Sequence, residues 1–519
     1  MSETECMADL VRRQARERPQ AIALTFEDRQ QGYGELDRRA NLVANALAAA
    51  GIRPGDRVAI LARNSDRFFE LFFGCAKAGA VLVPVNFRLA PPEIAQVVND
   101  SHARLLVVGR DFLVVARALS AQLPRVERLI AQDEPAEGFA DYARFRDGAP
   151  EHDPRLAVAL DDVVLQMYTS GTTGLPKGAQ LTNRNLGVLL PAAAREWAGF
   201  VPADVNLVCL PLFHIGGAAW GFLGLHAGCR NVVLADADPG IILECLARER
   251  VTQTIFVPAL MLFLLQHPAR KTTDFSSLKT IFYGASPIPF DLLKSAVASF
   301  GCQFCQLYGL TETTGAIVYL PRGDHDLARP ERMRSCGKAM GTVELRVVDA
   351  EGKDCPPGQI GEIVCRSNQV MQGYWNMAEA TAQAIREGWF HSGDAGYLDA
   401  DGYLHIYDRV KDMIVSGGEN IYPAEVESAL FGHPAVADVA VIGVPDARWG
   451  EAVKAIVVRK PGMQLAADEL LGFARQRIAG YKLPQSVDFL EALPRNPSGK
   501  ILKRELRKPY WQGRERQVN

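Results

Sequence analysis

The chain has 519 residues, 48% apolar and 23% charged, and its 57 Lys and Arg against 60 Asp and Glu leave a formal charge of −3. That balance, without any dense basic block, argues against a nucleic-acid partner, while the apolar content suffices for large cores. At about 150 residues per domain, the length implies three or four folding units.

Met1 to Arg18 is polar and mixed in charge, without the apolar core of a secretory signal. The longest apolar run, Ile255–Leu265, is interrupted by Pro258 and falls short of the ~20 residues that span a bilayer. A cytoplasmic protein without a transmembrane segment is expected. The ten cysteines should then be reduced. Cys302-Gln-Phe-Cys305 is the one close pair, and with no second pair or spaced histidines it reads as strand packing rather than a zinc or redox site.

From about residue 33 to 315, short apolar runs alternate with helical patterns. Leu36, Leu42, Val43, Ala46 and Leu47 recur at helical spacing, and Gly51 stands where that helix should stop. Val58–Ala62 reads as a strand, Phe68–Ala78 as a helix and Val81–Val85 as a strand. Further strands are expected at Leu105–Val108, Val163–Met167, Val205–Leu210, Asn231–Leu234, Thr254–Val257 and Thr280–Tyr283. Continuous apolar runs of this kind suit parallel strands covered on both faces.

After about Gly337 the texture changes to short strands, Glu344–Val348, Glu362–Cys365 and Tyr403–Tyr407, with a hairpin signal at Asp401-Gly402. From Lys411 a helix near Ala424–Leu430, strands near Val439–Ile442 and Ala452–Val458 and a helix at Ala467–Ile478 follow. The expected fold class is α/β: a large N-terminal domain of layered α/β sheets, residues 1–410, with a β-rich subdomain at about 337–410, then a small mobile α+β C-terminal domain, residues 411–519.

The first stretch that carries chemistry is Tyr168-Thr-Ser-Gly-Thr-Thr-Gly-Leu-Pro-Lys177-Gly178, after an apolar strand. Gly171 and Gly174 let backbone approach a polyanion, Thr169, Ser170, Thr172 and Thr173 add hydroxyls, and Lys177 adds a positive charge. It is not the P-loop of ordinary NTPases, because position 176, where that pattern needs glycine, is Pro176. A Gly/Pro turn is the bland alternative, but so many donors after a buried strand point to phosphate.

The stretch resembles the phosphate loop of the adenylate-forming superfamily, which includes acyl-CoA synthetases, firefly luciferases and peptide-synthetase adenylation domains. The other motifs of that family follow in order: Pro211-Leu-Phe-His214, Tyr283-Gly-Ala-Ser286, Tyr308-Gly-Leu-Thr-Glu312, Trp389-Phe-His-Ser-Gly-Asp394, Asp408-Arg-Val-Lys411 through Gly417-Gly418-Glu-Asn420, and Pro494-Arg-Asn-Pro-Ser-Gly-Lys500. The resemblance spans nearly the whole chain and is nearest to the fatty-acid–CoA ligase type.

That resemblance implies roles consistent with the residues' chemistry. Glu312 and Thr169 would hold Mg2+, which prefers hard oxygen donors, and Thr311 would offer its hydroxyl to a phosphate. Gly284, Ala285 and Ser286 would form the adenine floor, with Tyr308 and Gly309 beside the base. Asp394 would accept from the ribose hydroxyls, and Arg409 would donate to ribose or phosphate. Lys500 would reach the α-phosphate during adenylation and offset the charge that builds there. His214 would lie between the acyl site and the thiol path, Lys411 would be the interdomain hinge, and Gly417, Gly418 and Trp449 would line the pantetheine path. A Trp449 packed between domains is the equal alternative.

The implied activity is an ATP-dependent acid–CoA ligase, with ATP, a small carboxylic acid and coenzyme A as partners, acting as a monomer or homodimer. No Gly-x-Ser-x-Gly elbow or His-Glu-x-x-His motif competes with this reading. The acyl pocket is expected from His214–Phe222, Phe256–Leu260 and Gly309–Ala316, where small residues leave room; Trp220 either shortens the pocket or packs behind it. A medium- to long-chain fatty acid is the first expectation. An aryl or alicyclic acid, and an enzyme loading a separate carrier protein, are the alternatives.

Overall fold

The computed structural model of the chain describes residues 4–170, 176–286, 288–409, 412–416, 419–446, 448–495 and 501–512. Among these, the strands form four sheets. The nine-stranded sheet has a parallel centre: Ile22–Phe26, Arg230–Val233, Val205–Val208, Gln253–Phe256, Thr280–Gly284 and Gln303–Leu310 lie side by side. Gly315–Leu320 and Lys338–Ala339 continue it antiparallel at one edge.

The eight-stranded sheet is parallel through Val163–Ser170, Val81–Pro84, Arg57–Leu61, Ala103–Val108, Arg128–Ala131 and Ala140–Asp141. Pro176–Thr182 returns antiparallel along Val163–Ser170, and Gly373–Tyr374 adds an edge to it. Helices fill the layer between the two sheets. Asp66–Ala78 and Ile215–Ala227 meet there, with Phe222 stacked on Phe72 at 4.2 Å and Gly221 against Phe69. One apolar core runs through both sheets and these helices.

The third sheet is antiparallel, built on Glu344–Val348, Gly361–Arg366, Trp389–Leu398 and Leu404–Arg409. The fourth belongs to a small C-terminal domain. It joins Val436–Asp446 to Gly450–Arg459 and carries Ser486–Leu490 in parallel, with helices Pro423–Phe431 and Ala467–Arg475. No helix among the described residues is long and apolar enough to cross a membrane. Pro258, which interrupts the longest apolar run, is the first residue of helix Pro258–Gln266, where a missing N–H costs nothing.

The architecture is the expected α/β one, with local differences. Trp389–Leu398 is a ten-residue strand that no apolar run announces. Pro176–Thr182 is a strand too, so Lys177 sits on a sheet rather than in a loop. The small residues of helix Ile215–Ala227 serve packing more than room. A Cβ on Gly217 would lie 2.3 Å from the Pro211 carbonyl, on Gly221 2.6 Å from Phe69, and on Gly224 2.0 Å from the Asn231 amide. Only Gly216 of these four faces open space. Gly224→Ala should therefore destabilise the fold by about 1–3 kcal/mol through overpacking. Gly216→Ala should leave stability within about 1 kcal/mol, since Ala is the better helix former. Equilibrium denaturation of both variants checks the contrast.

Candidate active site

The parallel register sets the site. Asn206 pairs with Gln253, Gln253 with Thr280 and Thr280 with Gln303, so the carboxyl ends of four neighbouring strands come out in a row. From those ends leave the Pro211–His214 turn, Val257, Gly284–Ser286 and Gly309–Glu312. The crevice outside the carboxyl ends of a parallel sheet is where such folds bind ligands.

Two of these turns need glycine. A Cβ on Gly284 would lie 2.1 Å from the Leu307 carbonyl and one on Gly309 1.9 Å from that of Gly315. Ala285 follows with φ of 66°, a left-handed conformation that turns the chain away after the strand.

Glu312 sits in the turn Thr311–Thr313, whose end is sewn to a distant segment. The Glu312 carbonyl accepts from the Met371 N–H at 2.7 Å, and the Thr314 hydroxyl donates to the Gln369 carbonyl at 2.6 Å. The Glu312 side chain is 9% exposed, and its Oε1 accepts from Tyr374 Oη at 2.8 Å. Thr169 and Lys177 face each other across the antiparallel pair that leads into and out of the phosphate-loop segment. The Lys177 ammonium lies 5.0 Å from the centre of the Tyr374 ring. Lys177 and Glu312, from different sheets, are thus brought together on one tyrosine.

A second cluster joins Tyr308 and Asp394. Tyr308 Oη donates to Asp394 Oδ2 at 2.8 Å, and Asp394 is buried. Burial pushes the Tyr308 phenol well above its ordinary range, and the adjoining carboxylate adds to that, so the phenol stays a donor. Ser392 holds the approach: its hydroxyl donates to the Ile363 carbonyl at 2.6 Å and accepts from the Asp394 N–H at 3.0 Å. Arg409 pairs with Asp394 through backbone on the neighbouring strand.

His214 caps the start of helix Ile215–Ala227. Its turn is pinned by Asn64, which accepts from the Leu212 N–H at 2.8 Å and donates to the Leu210 carbonyl at 3.0 Å. The Nε2 of His214 is buried without a hydrogen-bond partner. Desolvation, and to a lesser degree Arg88, lowers its pKa to about 4. The imidazole is therefore neutral at neutral pH, and the ring of Phe213 lies 4.6 Å away.

Trp220 packs behind the crevice: it is 3% exposed, and its indole N–H donates to the Leu207 carbonyl at 2.9 Å. Its ring meets Phe282 at 4.8 Å and Phe200 at 5.5 Å, and Phe282 also meets Trp197 at 6.2 Å. Phe282 is two residues below Gly284 on its strand, on the same face of the sheet. Four buried rings thus pack against one another behind the crevice.

Other expected positions stay apart from this cluster or outside it. Trp449 is 39% exposed on the turn between two C-terminal strands, under the Arg448 guanidinium, and is not sealed between domains. Gly171, Thr172, Thr173, Gly174, Lys411, Gly417, Gly418 and Lys500 lie outside the described residues, as does the side chain of Ser170. Cys305 is buried on strand Gln303–Leu310, and the half-buried Cys302 precedes that strand. Among the described residues, no group of three or more His, Cys, Asp or Glu is set to hold a metal ion. The hard-oxygen donor available is Glu312, and no described residue bonds its second carboxylate oxygen.

A family model described as AMP-binding enzyme matches residues 11–375, and one for the AMP-binding enzyme C-terminal domain matches residues 425–500. The chain belongs to the AMP-binding enzyme family. It is 44% identical over 505 residues to a feruloyl-CoA synthase of an Amycolatopsis species, covering 96% of this chain and 98% of that protein. It is 41% identical over 510 residues to the fatty acid–[acyl-carrier-protein] ligase ScoC of Streptomyces coeruleorubidus, covering 97% and 96%. Its fold is similar to that of the anthranilate CoA ligase AuaEII in complex with anthranoyl-AMP, with TM-score 0.92, 27% identity and 98% of each chain covered.

Within this AMP-binding enzyme, Tyr374 is the site residue that sequence motifs miss. The one signal for it is an aromatic pair after a glycine, Gly373-Tyr374-Trp375. His214 supplies a pH test. Its folded pKa lies below the ordinary 6.5, so between about 4 and 6.5 the unfolded chain binds more protons. The penalty is absent above pH 6.5 and grows as pH falls toward about 4. The unfolding midpoint of His214→Phe should therefore fall less than that of wild type between pH 7 and pH 4.5.

Proposed function

We propose that this AMP-binding enzyme is an AMP-forming acid–thiol ligase that takes a compact, planar, aryl-bearing carboxylic acid and delivers it to coenzyme A. The acid's carboxylate oxygen attacks the α-phosphorus of ATP, the bond to the bridging oxygen breaks, and pyrophosphate leaves. The thiolate sulfur of coenzyme A then attacks the acyl carbonyl carbon, and AMP leaves with its phosphate oxygen. Neither step needs a protein nucleophile, so the chain's work is positioning and charge stabilisation.

Tyr308 and Asp394 hold the adenosine end, and Lys177 with the loop after Thr169 holds the phosphates. Glu312, with Thr169 at the start of the loop, would hold Mg2+, an ion that prefers hard oxygen donors. When bound, it neutralises phosphate charge. Lys500 joins from the C-terminal side and Arg409 from the strand beside Asp394; Lys411 is the hinge of a C-terminal domain, residues 411–519, that swings between the two steps and brings Gly417 and Gly418 to the thiol path.

The four rings packed behind the crevice carry the choice of acid. Their bulk limits the depth of the acyl site, which favours a short planar acid over a long alkyl chain. The similarity to a feruloyl-CoA synthase and to an anthranilate ligase supports the same choice. ScoC supports a carrier-protein thiol as the second reading of the acceptor.

The test is pyrophosphate release with benzoic, cinnamic-type, medium-chain and long-chain acids, each with coenzyme A and with a phosphopantetheinylated carrier. Aryl acids with coenzyme A should give the highest kcat/KM, and Trp220→Ala should raise the ratio of medium-chain to aryl kcat/KM about tenfold, the effect of a few methylenes of pocket space. A wild type that prefers hexadecanoic acid would reject the aryl reading. Turnover with the carrier alone would reject coenzyme A.

A further inference from the structure

Tyr374 stands between two opposite charges that the proposed reaction needs apart. Its Oη donates to Glu312 Oε1 at 2.8 Å, while the Lys177 ammonium lies 5.0 Å from the centre of its ring. Left to themselves, a buried carboxylate and a nearby ammonium would close on each other, since attraction rises steeply in a low-dielectric site. An ion pair would then consume the charges meant for a cation and a phosphate.

The tyrosine is itself held from three directions. Tyr374 pairs through backbone with Ala179, and its N–H donates to Thr381 Oγ1 at 2.9 Å. The next residue, Trp375, donates its N–H to the Gly178 carbonyl at 2.8 Å and its indole N–H to the Asp100 carbonyl at 2.9 Å. The Arg57 guanidinium lies 3.5 Å over the Trp375 ring. The Asp100 carboxylate accepts from Tyr168 Oη at 2.6 Å, and Tyr168 leads directly into the phosphate-loop segment. One short strand thus ties both flanks of that segment to Glu312.

We propose that Tyr374 is a positioning residue that keeps Lys177 and Glu312 apart and orients the Glu312 carboxylate. Its hydroxyl occupies one oxygen and leaves the second to a divalent cation, while its ring face holds the ammonium for phosphate. A phenol suits the task because it donates to the anion and presents a π face to the cation without a charge of its own. The inference rests on the ligase reading for the identity of the phosphate and the cation.

The experiment reads cation affinity apart from turnover. Mn2+ binding to the protein with a non-hydrolysable ATP analogue is followed by electron paramagnetic resonance for wild type, Tyr374→Phe, Glu312→Gln and the double variant, with unfolding midpoints as the check on folding. Tyr374→Phe keeps the ring and removes the hydroxyl. It should weaken Mn2+ by about tenfold or more, the usual effect of losing a ligand's hydrogen-bonded partner, and leave AMP affinity unchanged. The double variant should bind Mn2+ no more weakly than Glu312→Gln alone. Equal Mn2+ affinity in wild type and Tyr374→Phe, or additive losses in the double variant, would overturn the positioning role and leave the ligase reading intact. A wild type that binds neither the analogue nor Mn2+ with it would overturn both.

Discussion

The register of the parallel strands is the constraint on which the site depends. Asn206, Gln253, Thr280 and Gln303 lie in one rank, so the turns after four strands all open at the same end of the sheet. A slip of one residue in any of them would turn its side chains to the opposite face. Glycine enforces the register where the chains come closest: neither Gly284 beside Leu307 nor Gly309 beside Gly315 can carry a Cβ. Backbone contact holds the floor, and the side chains that meet substrate are free to differ.

Around that floor, buried polar groups are kept in definite protonation states by where they sit. Tyr308 stays a phenol because burial and Asp394 both oppose its ionisation. His214 stays neutral because its ring is desolvated. A site that binds a nucleotide gains from this: the phenol and the imidazole stay uncharged beside the charged groups Lys177, Glu312 and Asp394.

Much of the site was legible in the sequence, and the limits were physical. Gly, Ser, Thr and Lys after an apolar strand announce a polyanion, and the α/β alternation announces the large sheets. The pairing of Tyr374 with Glu312 was not legible, since it joins residues far apart in the chain through the edge of a different sheet. Trp389–Leu398 carries no strand signal because its apolar residues are interrupted by His391, Ser392, Gly393 and Asp394. The glycines of helix Ile215–Ala227 read as space, yet most answer a close neighbour, and no local pattern distinguishes the two uses.

That helix also sets how acid preference can drift among related proteins. Gly217, Gly221 and Gly224 are committed to the Pro211 carbonyl, to Phe69 and to Asn231, so mutation there is purged for stability before any new substrate can be tried. Gly216, where an added Cβ would meet nothing, carries no such debt. Variation confined to Gly216 would therefore sample new acid preferences while leaving the folding of the helix intact.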